Sequence, residues 1–477
     1  MCAVKPLIKQ LRRATLAQIE MRLASALPAE LLNQRRSQEY SRERIFPLFR
    51  TFWCWVWQIL QANSSCREVV RQVQVLFALE GAGAVDEATG AYCQARSKMP
   101  LAVLEQAFDA TAKKAEPKAP AAKVLQARPT KVLDGSSSRL SDTPRNRQAY
   151  PPPKSMAAGC GFPIMKIVVL FSLATGALLA RATGNQYTHE LRLCERLRAF
   201  FVKGDILVAD RAYAGFSVLA WLQSLGADVI ARVPTRSRRV DFRRAKKRYR
   251  KGEGLFTWAK PVTPSAFVPL AEWLGLPPEM TVRLLRVELK QRGFRTHRLT
   301  LVTTLLDQTL YPAEEIIAAY ARRWRLETCL DDLKTTLNME HLNCRSPAMV
   351  EKELLVFLIV HNLLRWLMIE AAQNGDVSLE CISFKGTLDG FRQWAVALSQ
   401  LGSSKRQAKK RARLWTNLLD TLAADLVPER PGRREPRAVK KRSKYPHLNC
   451  PRKKFRERLS RNKRRSRALA RKRRCVI

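Results

Sequence analysis

The chain has 477 residues, 46% of them hydrophobic, which excludes a disordered chain and is enough for roughly two to four structural units around a sizeable core. Its 86 Lys and Arg against 41 Asp and Glu give a net charge of +45, and an excess of this size indicates a polyanionic partner, by default nucleic acid. The eleven cysteines include no C-x-x-C pair, which favours reduced thiols in a cytoplasmic protein over a zinc site.

The first twenty residues carry charges throughout and lack a secretory apolar core. The apolar runs around Phe52–Leu60 and Ile164–Ala180 are too short or too interrupted to span a bilayer. We therefore expect no membrane partner and an intracellular location.

Residues 1–111 are predicted to form an N-terminal helical domain, because Leu, Ile and Met recur at three- and four-residue spacing. The Trp-rich run Phe52–Trp57 is typical of a buried helix. A polar break at 63–65 precedes a second predicted helix, Arg67–Leu79. Two short helices around a turn are either a DNA-reading helix-turn-helix or ordinary packing, and the sequence leaves both open.

A low-complexity stretch, Ala112–Lys123, marks a boundary, and the pattern then changes to strands over 123–234. Strands followed by strand–helix–strand alternation predict an α/β fold with a mixed sheet. The predicted strands are Lys131–Leu133, Ile164–Leu173, Ala177–Ala182, Ile206–Ala209 and Asp228–Val233, and the predicted helices are Glu190–Phe201 and Phe216–Leu225.

Three further segments follow. Residues 235–306 begin with a basic run and then alternate as antiparallel strands do, so they are predicted to form a β-rich insertion. Helices are expected again over 307–401. The last segment, 402–477, is predicted to be a basic tail that is partly disordered. From Arg430 onwards it contains 22 Lys and Arg and two Glu.

Two aspartates stand where apolar strands are predicted to end. Asp134 closes one strand and precedes Gly135 and three serines, and Asp210 closes another and precedes Arg211. Packing explains such residues poorly, because a charged group is costly to bury unpaired. Each is either a turn cap or ion-pair partner, or a ligand for a divalent metal ion.

The most informative helix is Tyr320–Lys334. At 100° per residue, Tyr320, Arg323, Glu327 and Lys334 fall within about 60° of one another. A carboxylate flanked by two cations and a phenol suits a metal ion with a phosphate beside it. The alternative is a solvated helix with an Arg323–Glu327 salt bridge, and Asp331 lies near the same face, so spacing alone does not choose.

The spacing Tyr-(2)-Arg-(3)-Glu-(6)-Lys resembles the YREK motif of DDE transposases of the insertion-sequence-four family. The resemblance extends in consistent order over about residues 20–400. Other segments that resemble this family are Ala91–Arg96, Leu133–Ser136, Asp142–Asn146, Gly161–Pro163, Gly204–Arg211 and Leu301–Asp307.

The resemblance implies a ribonuclease-H-like fold with a β-rich insertion between the second and third acids. It implies that two Mg²⁺ ions, for which Mn²⁺ substitutes, are held by the triad Asp134, Asp210 and Glu327. It also implies that DNA phosphates are contacted by Tyr320, Arg323 and Lys334. The implied reaction is hydrolytic nicking of the element ends, with a hairpin as the expected intermediate, followed by transfer of the 3′-hydroxyls into target DNA.

The resemblance further implies two partners, double-stranded DNA and a second copy of the chain in a synaptic homodimer. It also implies a location in the bacterial cytoplasm at the nucleoid. Trp258 and Trp273 are both candidates for stacking on a flipped base, with a core role as the alternative for each. An inactive element copy, a basic nucleic-acid-binding protein without catalysis, and a metal-dependent phosphohydrolase of another fold are the alternative functions.

Overall fold

The computed structural model joins N-terminal helices, one mixed sheet and C-terminal helices. The structure describes residues 23, 26–28, 30–32, 45–79, 81, 83–116, 124–154, 160–234, 240–265, 267–288, 298–399 and 405–428. The basic tail from residue 429 onwards therefore lies outside the described residues.

Helices occupy the described N-terminal segment, as the periodicity predicts. They are α1 (Leu48–Leu60), α2 (Cys66–Leu79), α3 (Gly90–Lys98) and α4 (Leu101–Ala115). The Trp-rich run lies in α1, where Trp53 and Trp55 are buried. A capping box begins α2, because Ser65 and Glu68 each accept a hydrogen bond from the other's backbone N–H. Helix α4 continues past the predicted boundary at 112, because Ala112 and Ala115 pack in the interior.

The first part of the sheet has the order β3-β2-β1-β4-β5. Its strands are β1 (Thr130–Leu140), β2 (Ile164–Ser172), β3 (Leu178–Asn185), β4 (Ile206–Ala209) and β5 (Asp228–Arg232). Strands β3, β2 and β1 are antiparallel neighbours, whereas β1, β4 and β5 are parallel. The connecting helices are α5 (Pro144–Ala149), α6 (Glu190–Glu195) and α7 (Phe216–Ser224). This confirms the predicted mixed α/β sheet.

The β-rich segment continues this same sheet. It contains β6 (Lys247–Arg250), β7 (Glu253–Ala259), helix α8 (Leu270–Gly275), β8 (Glu279–Glu288) and β9 (Arg298–Thr303). These strands are antiparallel neighbours, and β9 also pairs antiparallel with β5. Pairing with β9 satisfies the hydrogen-bonding edge that β5 would otherwise expose, so ten strands form one sheet in the described chain.

The C-terminal helices pack around one apolar helix. They are α9 (Ala313–Asp331), α10 (Pro347–Gly375), α11 (Phe384–Ser399) and α12 (Lys405–Ala424). Helix α10 lies against α1, α4 and α12. By length and composition α10 is apolar enough to cross a membrane, yet 94% of its most apolar window is buried inside the protein. Helix α12 occupies the start of the predicted tail, because Trp415, Leu418 and Leu422 are buried against the other helices.

Both faces of the parallel strands are covered. Within β4, Ile206 and Val208 belong to the core that includes α9 and α10, whereas Leu207 and Ala209 belong to the core that includes α7. This alternation is the period of two that a strand imposes on its side chains. The face on which a residue lies can therefore be read from its position along the strand.

Candidate active site

Asp134 and Asp210 lie at matching positions on neighbouring parallel strands. Strand β1 pairs with β4 through Lys131↔Leu207 and Val132↔Val208. The pairing ends there, and Asp134 and Asp210 each follow the last paired valine of their strand by two residues. Both therefore lie at the carboxyl edge of the parallel strands.

Both aspartates lie on the sheet face that α9 covers. Asp134 follows Val132 by two residues and Asp210 follows Val208 by two, so each shares the face of that valine. Val132 and Val208 belong to the same core as Tyr320 of α9. Helix α9 packs against β1, β4 and β5. The helix with the predicted third acid therefore lies over the edge where the two aspartates meet.

One prediction about Asp134 is wrong: it does not end its strand. Strand β1 continues to Leu140, because β2 pairs with it through the glycine and the three serines that we expected to form a loop. Only the pairing with β4 stops, at Val132. Asp134 thus lies where β1 loses one neighbour and keeps the other, and it is half-buried.

The side chain of Glu190 on α6 approaches Gly135 closely. A Cβ atom at this position would lie 2.9 Å from Oε1 of Glu190. That oxygen accepts a 2.7 Å hydrogen bond from the hydroxyl of Tyr213, and burial raises the pKa of Tyr213. Glu190 therefore lies against Gly135 on the sheet face opposite to the one that Asp134 shares with Val132. It is held in place by Tyr213 rather than by a cation.

Tyr320 of α9 lies near Asp210, and Arg323 lies against Tyr320. Both are buried, and the Arg323 guanidinium carbon lies 5.3 Å from the Tyr320 ring centre. Burial raises the pKa of Tyr320, Arg323 lowers it, and the charges of Asp210 and Arg232 act on it in opposite directions. Two of the three predicted phosphate-contacting residues thus lie together, and one of them lies near a predicted metal ligand.

Arg232 is a site residue that the sequence analysis missed. It ends β5, and the register Ala209↔Ala231 sets it beside Asp210. The same reasoning that selected Asp210, a charged residue ending an apolar strand, also applies to Arg232. It lies in the predicted strand Asp228–Val233 and was not selected there.

The position of Glu327 follows from the backbone of α9. Glu327 lies seven residues after Tyr320, two helical turns, and therefore on the same face. Its side chain lies outside the part that the structure describes. Asp331, the other acid on this face, is exposed and lies about 6 Å further along the helix axis. Geometry still leaves the third acid open between these two residues.

Lys334 is not on a regular α-helix. After Asp331 the chain forms a π-helical turn, Asp332–Thr336, which widens the helix and rotates Lys334 away from its ideal position. Lys334 is half-buried. The prediction that Lys334 lies within about 60° of Tyr320 requires a continuous α-helix, and the π-helical turn interrupts that helix. Turns of this kind are frequent at functional sites.

The donor set fits a hard divalent cation. Two carboxylates meet on one face, and no described side chain donates a hydrogen bond to Asp210, so its oxygens can serve as ligands. Among the described side chains no three His, Cys, Asp or Glu are already grouped for a metal ion. A complete site therefore needs a further carboxylate, and α9 is the element positioned to supply it.

The two tryptophan candidates differ in exposure. Trp273 of α8 is buried in the core, which supports the core role. Trp258 of β7 is half-buried and packs against the same core. Neither tryptophan lies in β1 or directly after β4, where Asp134 and Asp210 are found. The assignment of a base-stacking residue therefore stays a prediction.

The chain is similar to known transposases. Residues 126–363 match the family model described as "Transposase DDE domain". Transposase InsG for insertion sequence element IS4, from Escherichia coli (strain K12), is 27% identical over 339 residues, which cover 70% of this chain and 72% of that protein. The cryo-EM structure of the piggyBac transposase synaptic complex with hairpin DNA aligns with a TM-score of 0.39 and 11% identity, over 87% of this chain and 88% of that one.

Proposed function

Since residues 126–363 place this chain in the DDE transposase family, we propose that it cleaves the ends of an insertion element and joins their 3′-hydroxyls to target DNA. The observation that supports the proposal is the β1–β4 pairing, after which Asp134 and Asp210 follow at matching positions on the face that α9 covers. The third member of the proposed triad is Glu327. The order β3-β2-β1-β4-β5 supports a ribonuclease-H-like core for residues 123–234 and 307–401.

Asp134, Asp210 and Glu327 would hold two Mg²⁺ ions, with Mn²⁺ able to replace them. When bound, two divalent ions activate an attacking oxygen and stabilise the leaving oxygen of a phosphodiester. The chain's own contribution is to fix the carboxylates on rigid strands and one helix. Tyr320, whose pKa the charge of Asp210 affects, and Arg323 are both buried.

Arg323, Lys334 and Tyr320 would bind phosphate oxygens near the cleaved bond. Arg323 offers a planar guanidinium suited to bidentate phosphate binding, and Lys334 offers a single point charge. Because Arg323 is buried and lies at the Tyr320 ring, its orientation is fixed before DNA arrives. A cation held in position in this way orients the substrate strand at little entropic cost.

Double-stranded DNA is the proposed partner, and the charge distribution supports it. The edge strand β6 and its flanks expose seven Lys and Arg in nine residues, 243–251, on the outer edge of the sheet. Such a row suits the sequence-independent binding of DNA phosphates. We also propose a synaptic homodimer, because two element ends must be joined together, and a location in the bacterial cytoplasm at the nucleoid.

Removal of the metal ion is expected to abolish cleavage without abolishing binding. Labelled duplex carrying the element's terminal repeat is incubated with the protein in Mg²⁺ or in EDTA, and nicks are resolved on a denaturing gel. Nicking at the repeat boundary is expected in Mg²⁺ only, with a gel shift under both conditions. Binding without nicking in Mg²⁺ and in Mn²⁺ would favour an inactive copy or a basic DNA-binding protein.

A further inference from the structure

Two cysteines lie on neighbouring N-terminal helices. Cys66 is the first residue of α2, and Cys93 lies in α3. Cys93 precedes Arg96 by three residues, so it shares the face of α3 from which Arg96 contacts the Cys66 sulfur. Cys66 is half-buried and Cys93 is exposed, so small solutes reach both. The proposed transposase chemistry uses neither residue.

The surroundings of Cys66 stabilise a thiolate. Arg96 donates from Nη1 to the Cys66 sulfur over 3.3 Å, and Gln58 approaches the same sulfur from Nε2 at 3.9 Å. Cys66 also begins a helix of fourteen residues, whose N-terminal dipole favours negative charge. Together, a hydrogen bond with Cys93 and these contacts outweigh burial and lower the pKa of Cys66 to about 6.

Arg96 is fixed rather than mobile. It is buried, and its guanidinium carbon lies 4.0 Å from the centre of the Trp55 ring. Its other terminal nitrogen, Nη2, donates to the Cys344 sulfur over 3.1 Å. No carboxylate in the described part of the chain forms an ion pair with it at salt-bridge distance. Its terminal nitrogens therefore contact the sulfurs of Cys66 and Cys344 and the amide oxygen of Gln58.

The other cysteines that the structure describes lack this environment. Cys54 is fully buried in α1, and burial raises its pKa to about 12. Burial also raises the pKa of Cys344, although Arg96 contacts it. Reactive cysteines occur where a thiolate is stabilised and partly accessible, and among the cysteines that the structure describes Cys66 combines these features with a neighbouring thiol.

We propose that Cys66 and Cys93 are an oxidation-sensitive pair that a hydroperoxide converts to a disulfide. The Cys66 thiolate attacks the peroxide, its O–O bond breaks, and Cys66 becomes a sulfenic acid while the second oxygen leaves as water or an alcohol. The Cys93 sulfur then displaces hydroxide from that sulfenic acid, and the two sulfurs join with loss of water. The thiols lose two electrons and the peroxide gains them.

The disulfide would change the contacts of Arg96. Oxidation removes the thiolate that Arg96 faces, while Arg96 still contacts Cys344, whose backbone N–H donates 2.8 Å to Glu353 of α10. The pair therefore lies where the N-terminal helices meet the core helix of the proposed catalytic domain. The proposal concerns the thiol chemistry and stands whether or not the chain cuts DNA.

The experiment is peptide mapping of the reduced full-length protein after brief treatment with equimolar hydrogen peroxide and alkylation of the remaining thiols. A linked peptide containing Cys66 and Cys93 is expected, two hydrogens lighter than the reduced pair and lost on addition of dithiothreitol. Before oxidation, iodoacetamide at pH 6.5 is expected to label Cys66 about fivefold or more faster than the exposed Cys381.

Variants separate the steps. In Cys93→Ser, Cys66 is expected to stop at the sulfenic acid, which dimedone traps, and in Cys66→Ser, Cys93 is expected to stay reduced. Cys381→Ser is the matched control and should leave the linked peptide unchanged. The proposal is overturned if Cys66 is alkylated no faster than Cys381, or if peroxide oxidises the chain without linking Cys66 to Cys93.

Discussion

Asp210→Asn is expected to lower Mg²⁺-dependent nicking at least about a thousandfold, or about 4 kcal/mol of transition-state stabilisation. The change keeps the shape of the side chain and removes the charge that would hold a divalent cation. Folding should be unaffected, because Asp210 is half-buried at the end of β4 and no described side chain donates a hydrogen bond to it. The measurement is the initial nicking rate on labelled duplex.

The matched control is Asp389→Asn on α11, which makes the same chemical change at an ion pair with Lys385. Its nicking rate should stay within about twofold of wild type, since surface ion pairs contribute little. DNA affinity should be similar in both variants and in wild type. If Asp210→Asn nicks at the rate of the control, Asp210 is not a metal ligand and the proposed triad is wrong.

Glu253→Gln is expected to lower the free energy of unfolding by about 3–5 kcal/mol, because it leaves a buried arginine without its counter-charge. Arg283 of β8 is fully buried, and its Nε donates to Glu253 of β7 over 2.9 Å. Arg283 also donates over 2.7 Å to the backbone carbonyl of Tyr311, just before α9. The pair thus connects the β-rich segment to the start of the helix that carries the YREK residues.

Urea unfolding, followed by circular dichroism, measures this effect. Glu288→Gln is the matched control, since its partner Arg298 is mostly exposed and that pair should contribute less than about 1 kcal/mol. The double variant Glu253→Gln, Arg283→Met should recover part of the loss, because it no longer buries an unpaired charge. Equal midpoints for Glu253→Gln and Glu288→Gln would show that the buried pair is not needed.

The parallel strands were predictable because they are short, apolar and buried on both faces. Strand β4 has the predicted limits, Ile206–Ala209, and Asp210 follows it. Strand β1 was predicted too short, because its second half contains glycine and serines, which have low strand propensity. Pairing with β2 and with the two-residue strand β10 (His341–Leu342) overrides that propensity, and no local pattern reports a partner 200 residues away.

The sequence predicted individual residues of the candidate site better than it predicted which of them lie together. Asp134 and Asp210 were selected from their strands, but only the β1–β4 pairing shows that they follow neighbouring parallel strands at matching positions. Arg232 lies in a predicted strand but was not selected, and its place beside Asp210 depends on the order of β4 and β5. The π-helical turn that shifts Lys334 leaves no signature in hydrophobic spacing. Helix α12 was obscured by the basic residues of its first half, although its second half is buried.

The central claim is that one carboxylate of α9 completes a metal site with Asp134 and Asp210. The most direct measurement compares wild type, Glu327→Gln and Asp331→Asn for Mg²⁺-dependent nicking of labelled duplex at equal DNA occupancy. We expect Glu327→Gln to lose nicking and Asp331→Asn to keep it, because Glu327 is two turns from Tyr320 on the face that covers the aspartates. Nicking by Glu327→Gln at the wild-type rate would contradict the proposed triad.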